Sequence, residues 1–208
     1  MRVIDTEADL AEGCAHLAAV CPVWAAALPG LDDLPLRRRE DGFAAILDAI
    51  IGQQISIAAA GAIMARLQAA GLTDPTSIRM AGEDGLKACG VSRPKIRYLL
   101  GIVAQEPDWI ALRSAPDAEV IATLTALPGI GQWTAEIYLA FALGRTDAFP
   151  AGDLALQEAA RLLYGLDDRP SPKALSEMAE SWRPWRAVAA RALWAHYRVA
   201  KGREGVIS

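Results

Sequence analysis

The sequence predicts an all-α fold, and two observations lead to that prediction. Apolar residues recur with the helical period of about 3.6 along most of the chain, whereas the strict alternation typical of strands is nearly absent. Hydrophobic residues make up 53% of the 208 residues and charged residues 22%, which is typical of a globular protein with a sizeable core. One buried helix face is especially clear, and it is formed by Phe43, Ile46, Leu47, Ile50 and Ile51.

The other helices follow from the same period and from residues that start or end helices. An alanine-rich helix is predicted over 57–67, and a short one ends at Leu86. Pro94 starts the next helix, Pro116 is predicted in the first turn of another, and Gly144 ends the one after that. Two further helices are predicted at 154–164 and 186–199.

Charge and cysteine content exclude several classes of protein. The longest uncharged runs, 13–31 and 49–65, are broken by proline or by glycine and glutamine, so neither predicts a membrane span. No secretory signal is visible at the N-terminus. The net charge of −4 disfavours a broad basic face, so any contact with DNA has to be local. Three cysteines without metal-ligand spacing predict free thiols in a reducing cytoplasm: Cys14, Cys21 and Cys89.

The stretch LPGIGQWTA, 127–135, joins two predicted helices through two glycines. Gly129, Ile130 and Gly131 would present backbone N–H groups beside the positive end of the second helix, where a DNA phosphate can bind without a charged side chain. The alternative is that the glycines only allow the two helices to pack closely. In its helical context, with Gln132 and Thr134 following, the stretch resembles the helix-hairpin-helix motif of DNA repair enzymes.

The resemblance extends over roughly 36–198. The stretches AILDAIIGQQIS (45–56), GVSRPKIRYL (90–99), DAFPAGD (147–153) and WRPWRAVAARALW (182–194) are similar to segments of the HhH-GPD superfamily of DNA glycosylases. The chain is identified as a member of the short-form DNA-3-methyladenine glycosylase II branch, because all these stretches occur in the right order.

This resemblance implies two helical lobes. The central lobe would span 41–143 and contain the hairpin, and the second would be formed by 1–40 and 144–208. The active-site cleft would lie between the lobes.

Asp153 is the catalytic residue that the resemblance implies. Taken alone, an Asp before an apolar-periodic helix is more often a plain N-cap. The N-cap position nevertheless suits a catalytic carboxylate, since the helix dipole favours negative charge there. Such a carboxylate would stabilise the positive charge that develops on the sugar when an N-glycosidic bond breaks, and could orient the attacking water. Asp147 is the weaker candidate.

Trp133 and Trp194 match the positions where the resembled family places aromatic residues of the base pocket. Electron-rich rings attract an alkylated base, which carries a positive charge. A core role for Trp133 is the alternative. A further pocket tyrosine of the family would fall at Ile137, with Tyr138 next to it. Bifunctional relatives carry a nucleophilic lysine where this chain has Trp133, so the resemblance implies base hydrolysis without strand cleavage.

The remaining candidates concern DNA contacts. The Gly52-Gln53-Gln54 corner resembles the wedge loop of the family, in which Gln54, with Gln53 beside it, would fill the gap left by an extruded base. An exposed polar pair at a helix end is the alternative. Arg93 and Lys95, together with Arg97, are candidate phosphate contacts or else part of a solvated face.

No cysteine follows Cys89, so no iron–sulfur cluster is expected. By resemblance, the backbone carbonyls of Thr125, Leu127 and Ile130 would hold a weakly bound Na⁺ or K⁺. We expect a monomeric cytoplasmic protein, associated with the nucleoid when bound to DNA, that acts on double-stranded DNA containing alkylated bases. A glycosylase of another specificity and a non-catalytic DNA-binding module are the alternatives.

Overall fold

The computed structural model describes residues 2–31 and 34–202, so residues 1, 32–33 and 203–208 of the predicted second lobe lie outside the described residues. The prediction of an all-α fold is confirmed, because within these ranges the β-structure amounts to an isolated antiparallel bridge between Val3 and Arg145. Across these same ranges, no helix combines the length and the apolar character that crossing a membrane requires.

The helices alternate with short loops and a few single turns of other helix types. Short 3₁₀ turns occupy Leu28–Gly30 and Glu180–Trp182, and a π-helical turn occupies Tyr138–Ala142. The α-helices are α1 (Glu7–Val20), α2 (Pro22–Ala27), α3 (Phe43–Gly52), α4 (Ile57–Ala69), α5 (Pro75–Ala88), α6 (Arg93–Gln105), α7 (Trp109–Leu112), α8 (Asp117–Thr125), α9 (Gln132–Ile137), α10 (Leu154–Tyr164), α11 (Pro172–Ala179) and α12 (Arg186–Lys201).

The chain forms two compact units. One comprises Met1–Arg38 together with Leu139–Ser208, and we call it the terminal unit; the other is the continuous segment Arg39–Tyr138, the central unit. The central lobe expected from the sequence had bounds at 41 and 143, where the structure has 39 and 138.

In the central unit, α3 packs against α4 and α6, and α5 packs along α6. The predicted apolar face of α3 is buried throughout. Pro116 corrects one detail of the prediction: it is the N-cap of α8, with extended backbone, and the helix begins at Asp117. A proline at the N-cap lacks the side-chain acceptor that serine or aspartate would offer there.

In the terminal unit, α12 packs against α10 and α1. The contact between α1 and α12 is close at Gly13, where an added Cβ would lie 2.5 Å from Cγ2 of Val188. The N-terminal segment joins this unit through a hydrogen bond from the Ile4 N–H to the Gly144 carbonyl, 2.7 Å long. Helices from both terminal parts of the described chain, α1 and α12, therefore share one core.

Two arginines complete the end of the π-helical turn. Arg38 donates to the carbonyls of Phe141 and Ala142 at 3.0 and 2.5 Å, and Arg191 donates to the carbonyl of Ala140 at 3.1 Å. The last carbonyls of a helix have no intrahelical donors, so these side chains satisfy groups that would otherwise be buried without partners.

Two glycine substitutions should change stability in opposite directions. Gly61→Ala, in an exposed part of α4 where an added Cβ meets no atom within 4 Å, should raise the free energy of unfolding by about 0.5–1 kcal/mol. Gly13→Ala should lower it by about 1–3 kcal/mol, because the clash with Val188 outweighs the same gain in helix propensity. Urea unfolding measures both changes, provided that the slope of the unfolding free energy against urea concentration stays the same. Equal stabilisation by the two substitutions would contradict the close contact between Gly13 and Val188.

Candidate active site

Asp153 is the N-cap of α10, as its position in the sequence predicts. Its Oδ1 accepts hydrogen bonds from the backbone N–H groups of Ala155 at 2.8 Å and Leu156 at 3.0 Å. The preceding loop is fixed as well, because Gln157 donates from Nε2 to the Ala151 carbonyl at 2.9 Å. The carboxyl group is therefore held at the start of the helix, and the residue is only 9% exposed.

Trp194 lies on α12 and points its indole N–H at the same carboxyl oxygen. The distance from its Nε1 to Asp153 Oδ1 is 3.4 Å, and Trp194 is 2% exposed. The structure thus brings together two of the residues that the sequence singled out. It also gives Trp194 a polar contact that the role of a pocket wall does not require.

Asp147, the weaker catalytic candidate, belongs to an ion-pair cluster. Arg186 binds both of its carboxyl oxygens, Nε to Oδ1 at 2.8 Å and Nη2 to Oδ2 at 2.9 Å. Arg183 adds a contact of 2.5 Å to Oδ2. These bonds tie the loop before α10 to the beginning of α12, which gives Asp147 a structural role.

The hairpin between α8 and α9 lies in the central unit, and its two glycines differ. Gly129 has a φ of 81°, and an added Cβ would lie 2.5 Å from Cδ2 of Tyr98. Gly131 has an ordinary extended backbone, φ −97° and ψ 173°, and an added Cβ would meet no atom within 4 Å. Internal packing therefore accounts for Gly129 but not for Gly131. Between them, Ile130 is buried, so only its backbone is available to a ligand.

Trp133 is 42% exposed at the beginning of α9, which corrects the alternative that it belongs to the core. Ile137 and Tyr138 are buried, at 9% and 3% exposure. The Tyr138 hydroxyl accepts a hydrogen bond from the Gly42 N–H at 2.9 Å, and burial raises the pKa of Tyr138. Tyr138 therefore holds the N-terminus of α3, and its role in a base pocket stays a prediction.

Polar residues at the start of α9 also interact with each other. Gln132 is exposed and donates from Nε2 to Oε1 of Glu136 at 2.8 Å. Burial raises the pKa of Glu136, and this hydrogen bond partly opposes the effect. Thr134 is half-buried.

The two glutamines after α3 point in different directions. Gln53 donates from Nε2 to the Gly129 carbonyl at 3.0 Å, so it supports the hairpin. Gln54 is exposed, and its φ of 58° lies in the left-handed region that non-glycine residues rarely adopt. The next apolar side chains, Ile55 and Ile57, are 39% and 60% exposed. Of the pair, Gln54 is the more exposed to solvent.

Lys95 requires a correction. Either a phosphate contact or a place on a solvated face was expected for it, but it is 8% exposed and its Nζ donates to the Ile51 carbonyl at 2.7 Å. Burial lowers its pKa. Its ammonium group satisfies the C-terminal end of α3 and is not available to a phosphate. Arg93 and Arg97 are exposed on α6.

The chemistry of the hairpin carbonyls fits the expected alkali cation. Thr125 is the last residue of α8, so its carbonyl lacks an intrahelical donor. The Leu127 carbonyl accepts from the Ile130 N–H at 3.2 Å and keeps a second lone pair. Such neutral oxygen ligands suit a weakly held monovalent ion. In the described part of the chain, no cluster of three His, Cys, Asp or Glu residues could hold a metal.

The sequence did not single out three residues that lie next to Asp153 or in the surroundings of Trp194. Leu154 follows Asp153 directly and is 62% exposed. Phe141 packs against Trp194, with their ring centroids 5.7 Å apart, and Arg191 in turn lies against the ring of Phe141. A lone arginine in the apolar segment 187–194 was the available sequence signal for Arg191.

Comparisons with known proteins agree with this geometry. Residues 47–184 match the family model described as "HhH-GPD superfamily base excision DNA repair protein". DNA-3-methyladenine glycosylase 1 of Schizosaccharomyces pombe is 30% identical over 171 residues, which cover 78% of this chain and 75% of that protein.

Solved structures give the same result. A DNA-3-methyladenine glycosidase from Bacillus halodurans superposes with a TM-score of 0.81 at 30% identity, covering 98% of this chain and 95% of that one. An S. pombe 3-methyladenine DNA glycosylase in complex with abasic DNA has a TM-score of 0.77 at 27% identity, covering 95% and 100%. The resemblance drawn from the sequence motifs is confirmed.

The two hairpin glycines should respond differently to alanine. Gly129→Ala should lower the free energy of unfolding by about 1–3 kcal/mol, because it combines a positive φ with a clash against Tyr98. Gly131→Ala is the matched control and should change it by less than about 0.5 kcal/mol. Thermal or urea unfolding measures both. A large loss of stability for Gly131→Ala would show that this glycine, too, serves internal packing.

Proposed function

The chain belongs to the HhH-GPD superfamily of base excision DNA repair proteins, and we propose that it is a monofunctional DNA glycosylase that removes alkylated bases from double-stranded DNA. The observation that carries this proposal is the buried carboxyl group of Asp153, which backbone donors and Trp194 hold at the N-terminus of α10. A plain helix cap on the surface needs no such enclosure.

Asp153 would act on the sugar. Breaking the N-glycosidic bond leaves positive charge on the sugar ring, in an oxocarbenium-like transition state. A carboxylate that is already fixed in place stabilises that charge without having to reorganise, and it can orient the water that attacks the sugar carbon. The bond between base and sugar breaks, and the water supplies the hydroxyl group that replaces the base.

The base would be one that is already a good leaving group. An alkylated purine carries a positive charge, so it needs little acid catalysis and is attracted to the face of an aromatic ring. Trp133 offers such a ring, since it is 42% exposed. The relatives in S. pombe and B. halodurans are named for 3-methyladenine, which supports the same class of substrate here.

DNA would bind through local backbone contacts, which agrees with a net charge of −4. Gly131 leaves open space where a side chain would otherwise lie, so a phosphate can approach the N–H groups of the hairpin. Gln54, exposed and in a left-handed conformation, would fill the gap left by the extruded base. The S. pombe relative was solved with abasic DNA, which supports DNA as the binding partner here.

The reaction would stop at the abasic site. Strand cleavage by bifunctional glycosylases needs an amine that attacks the sugar carbon, and the corresponding position here holds Trp133. We further propose a monomer in the cytoplasm, associated with the nucleoid on DNA, with no iron–sulfur cluster and with a Na⁺ or K⁺ on the hairpin carbonyls.

Release of free base tests the proposed activity. The purified protein should release 3-methyladenine or 7-methylguanine from methylated duplex DNA, leave the strand intact, and form no adduct with DNA on borohydride treatment. Release of only other lesions from a panel of duplexes would assign a different specificity. DNA binding without any release would leave a non-catalytic module, and a trapped adduct would contradict the hydrolytic mechanism.

Asp153→Asn separates catalysis from capping. Asparagine caps a helix about as well as aspartate, so the free energy of unfolding should change by well under about 1 kcal/mol. The rate of base release should fall by about a hundredfold or more, since the charge facing the sugar is lost. Binding of abasic DNA should persist or tighten.

Asp74→Asn is the matched control. Asp74 caps α5 with the same pair of backbone bonds, to Thr76 and Ser77, both 3.0 Å long. This variant should keep full activity. If Asp153→Asn were as active as Asp74→Asn, Asp153 would be a cap and nothing more.

A further inference from the structure

We propose that Trp194 is a positioning residue for Asp153: its indole N–H, supported by a buried stack of Phe141 and Arg191, fixes the orientation of the carboxyl group. This inference rests on the proposed glycosylase function, because it assigns a role within that reaction. It changes the part played by Trp194 from a wall of the base pocket to a hydrogen-bond donor.

The two capping hydrogen bonds act on one oxygen of the carboxyl group and from one side. The N–H groups of Ala155 and Leu156 both come from the first turn of α10 and both end at Oδ1. The terminal torsion of an aspartate is broad, so two donors on one side still allow the carboxyl plane to turn. Trp194 adds a donor from a different helix, 3.4 Å from Oδ1. A third direction of approach restrains that torsion.

The indole has little freedom of its own. Trp194 is 2% exposed, and its buried indole N–H has Asp153 as its hydrogen-bond acceptor. Its ring packs against Phe141, with centroids 5.7 Å apart and planes inclined at 32°. The N–H direction is thus set by packing before any ligand binds.

Arg191 packs against the same Phe141 ring. Its guanidinium carbon lies 4.5 Å from the Phe141 ring centroid, and the group donates to the carbonyls of Ala187 at 2.9 Å and Ala140 at 3.1 Å. Arg191 is only 2% exposed, and in the described ranges no carboxylate forms an ion pair with its guanidinium group. Burial, with a smaller contribution from Arg37 and Arg38, lowers the pKa of Arg191 to about 10, so it stays charged at neutral pH.

Burying a charge without an acidic partner costs free energy, and an apolar residue of similar volume would lower the stability of the protein less. Arg191 joins α12 to the π-helical turn that carries Phe141 and lies against the ring of Phe141. It therefore fixes Phe141, which in turn packs on Trp194. In the terminal unit, Arg191 thus contacts Phe141, Phe141 packs on Trp194, and Trp194 donates to the carboxyl group of Asp153.

The test uses the full chain and compares two tryptophans. Trp194→Phe keeps an aromatic ring and removes the N–H that Asp153 accepts. Trp24→Phe is the control: Trp24 is equally buried in the same unit, but its Nε1 has no hydrogen-bond partner. Single-turnover release of 7-methylguanine from a methylated duplex gives the rate of the chemical step, and steady-state measurements give KM.

Trp194→Phe should lower kcat by about tenfold to a hundredfold with KM within about twofold of wild type, since only orientation is lost. Trp24→Phe should stay within about twofold in both parameters. In an Asp153→Asn background, Trp194→Phe should have no further effect above about twofold, because there is no charge left to orient. A purely structural role would give no such coupling.

The outcomes are distinct. A wild-type protein that releases no base from any lesion overturns the proposed function and this inference with it. A wild-type rate for folded Trp194→Phe overturns this inference alone and returns Trp194 to the pocket wall. Should Trp194→Phe fail to fold, Phe141→Leu takes its place: it leaves the indole N–H in the chain and loosens its support, and an unchanged kcat there also overturns the inference.

Discussion

The hydrogen bonds that converge on Oδ1 of Asp153 determine how the terminal unit is put together. The backbone donors of Ala155 and Leu156 define where α10 begins, and Trp194 joins that point to α12. The Asp147 cluster anchors the loop before α10 to the start of the same helix, α12. One buried carboxyl group thus has a structural role, and the chemical role that we propose for it would place the reactive group on rigid elements.

The central unit carries the features that we propose for DNA binding by a protein with a net negative charge. Its hairpin uses one glycine for internal packing and leaves the other without any internal reason. Gln53 fixes the hairpin from behind, and Gln54, its neighbour, is turned outward by a left-handed backbone. Strained backbone at an exposed residue indicates a functional constraint when it is combined with neighbouring apolar exposure, as at Ile55. Backbone groups and single side chains can provide such contacts without a basic surface.

The features that could be predicted from the sequence are those that local periodicity and the order of motifs determine. The all-α class, the buried face of α3, the bounds of α10 and the N-cap role of Asp153 all depend on residues close together in the chain. The fates of Lys95 and Tyr138 depend on distant partners, namely the Ile51 carbonyl and the Gly42 N–H, and no local pattern reveals these. The same holds for Arg191, because two of its acceptors, the carbonyls of Leu36 and Ala140, belong to other segments of the chain. Helices α1 and α2 were not predicted, because the apolar residues of these two helices are not confined to one face and therefore show little helical periodicity.

Asp153 is proposed to stabilise positive charge on the sugar, and binding of a charged sugar analogue tests this role most directly. Dissociation constants would be measured for duplexes carrying a neutral tetrahydrofuran abasic site and for duplexes carrying a cationic pyrrolidine in its place, with the wild-type protein and with Asp153→Asn. Because tighter binding of a charged transition-state analogue reports the complementary charge, the wild-type protein should prefer the pyrrolidine duplex by about tenfold or more. In Asp153→Asn that preference should fall to nearly none while the neutral duplex still binds. An undiminished preference in Asp153→Asn would contradict the assignment of Asp153 as the group that faces the sugar.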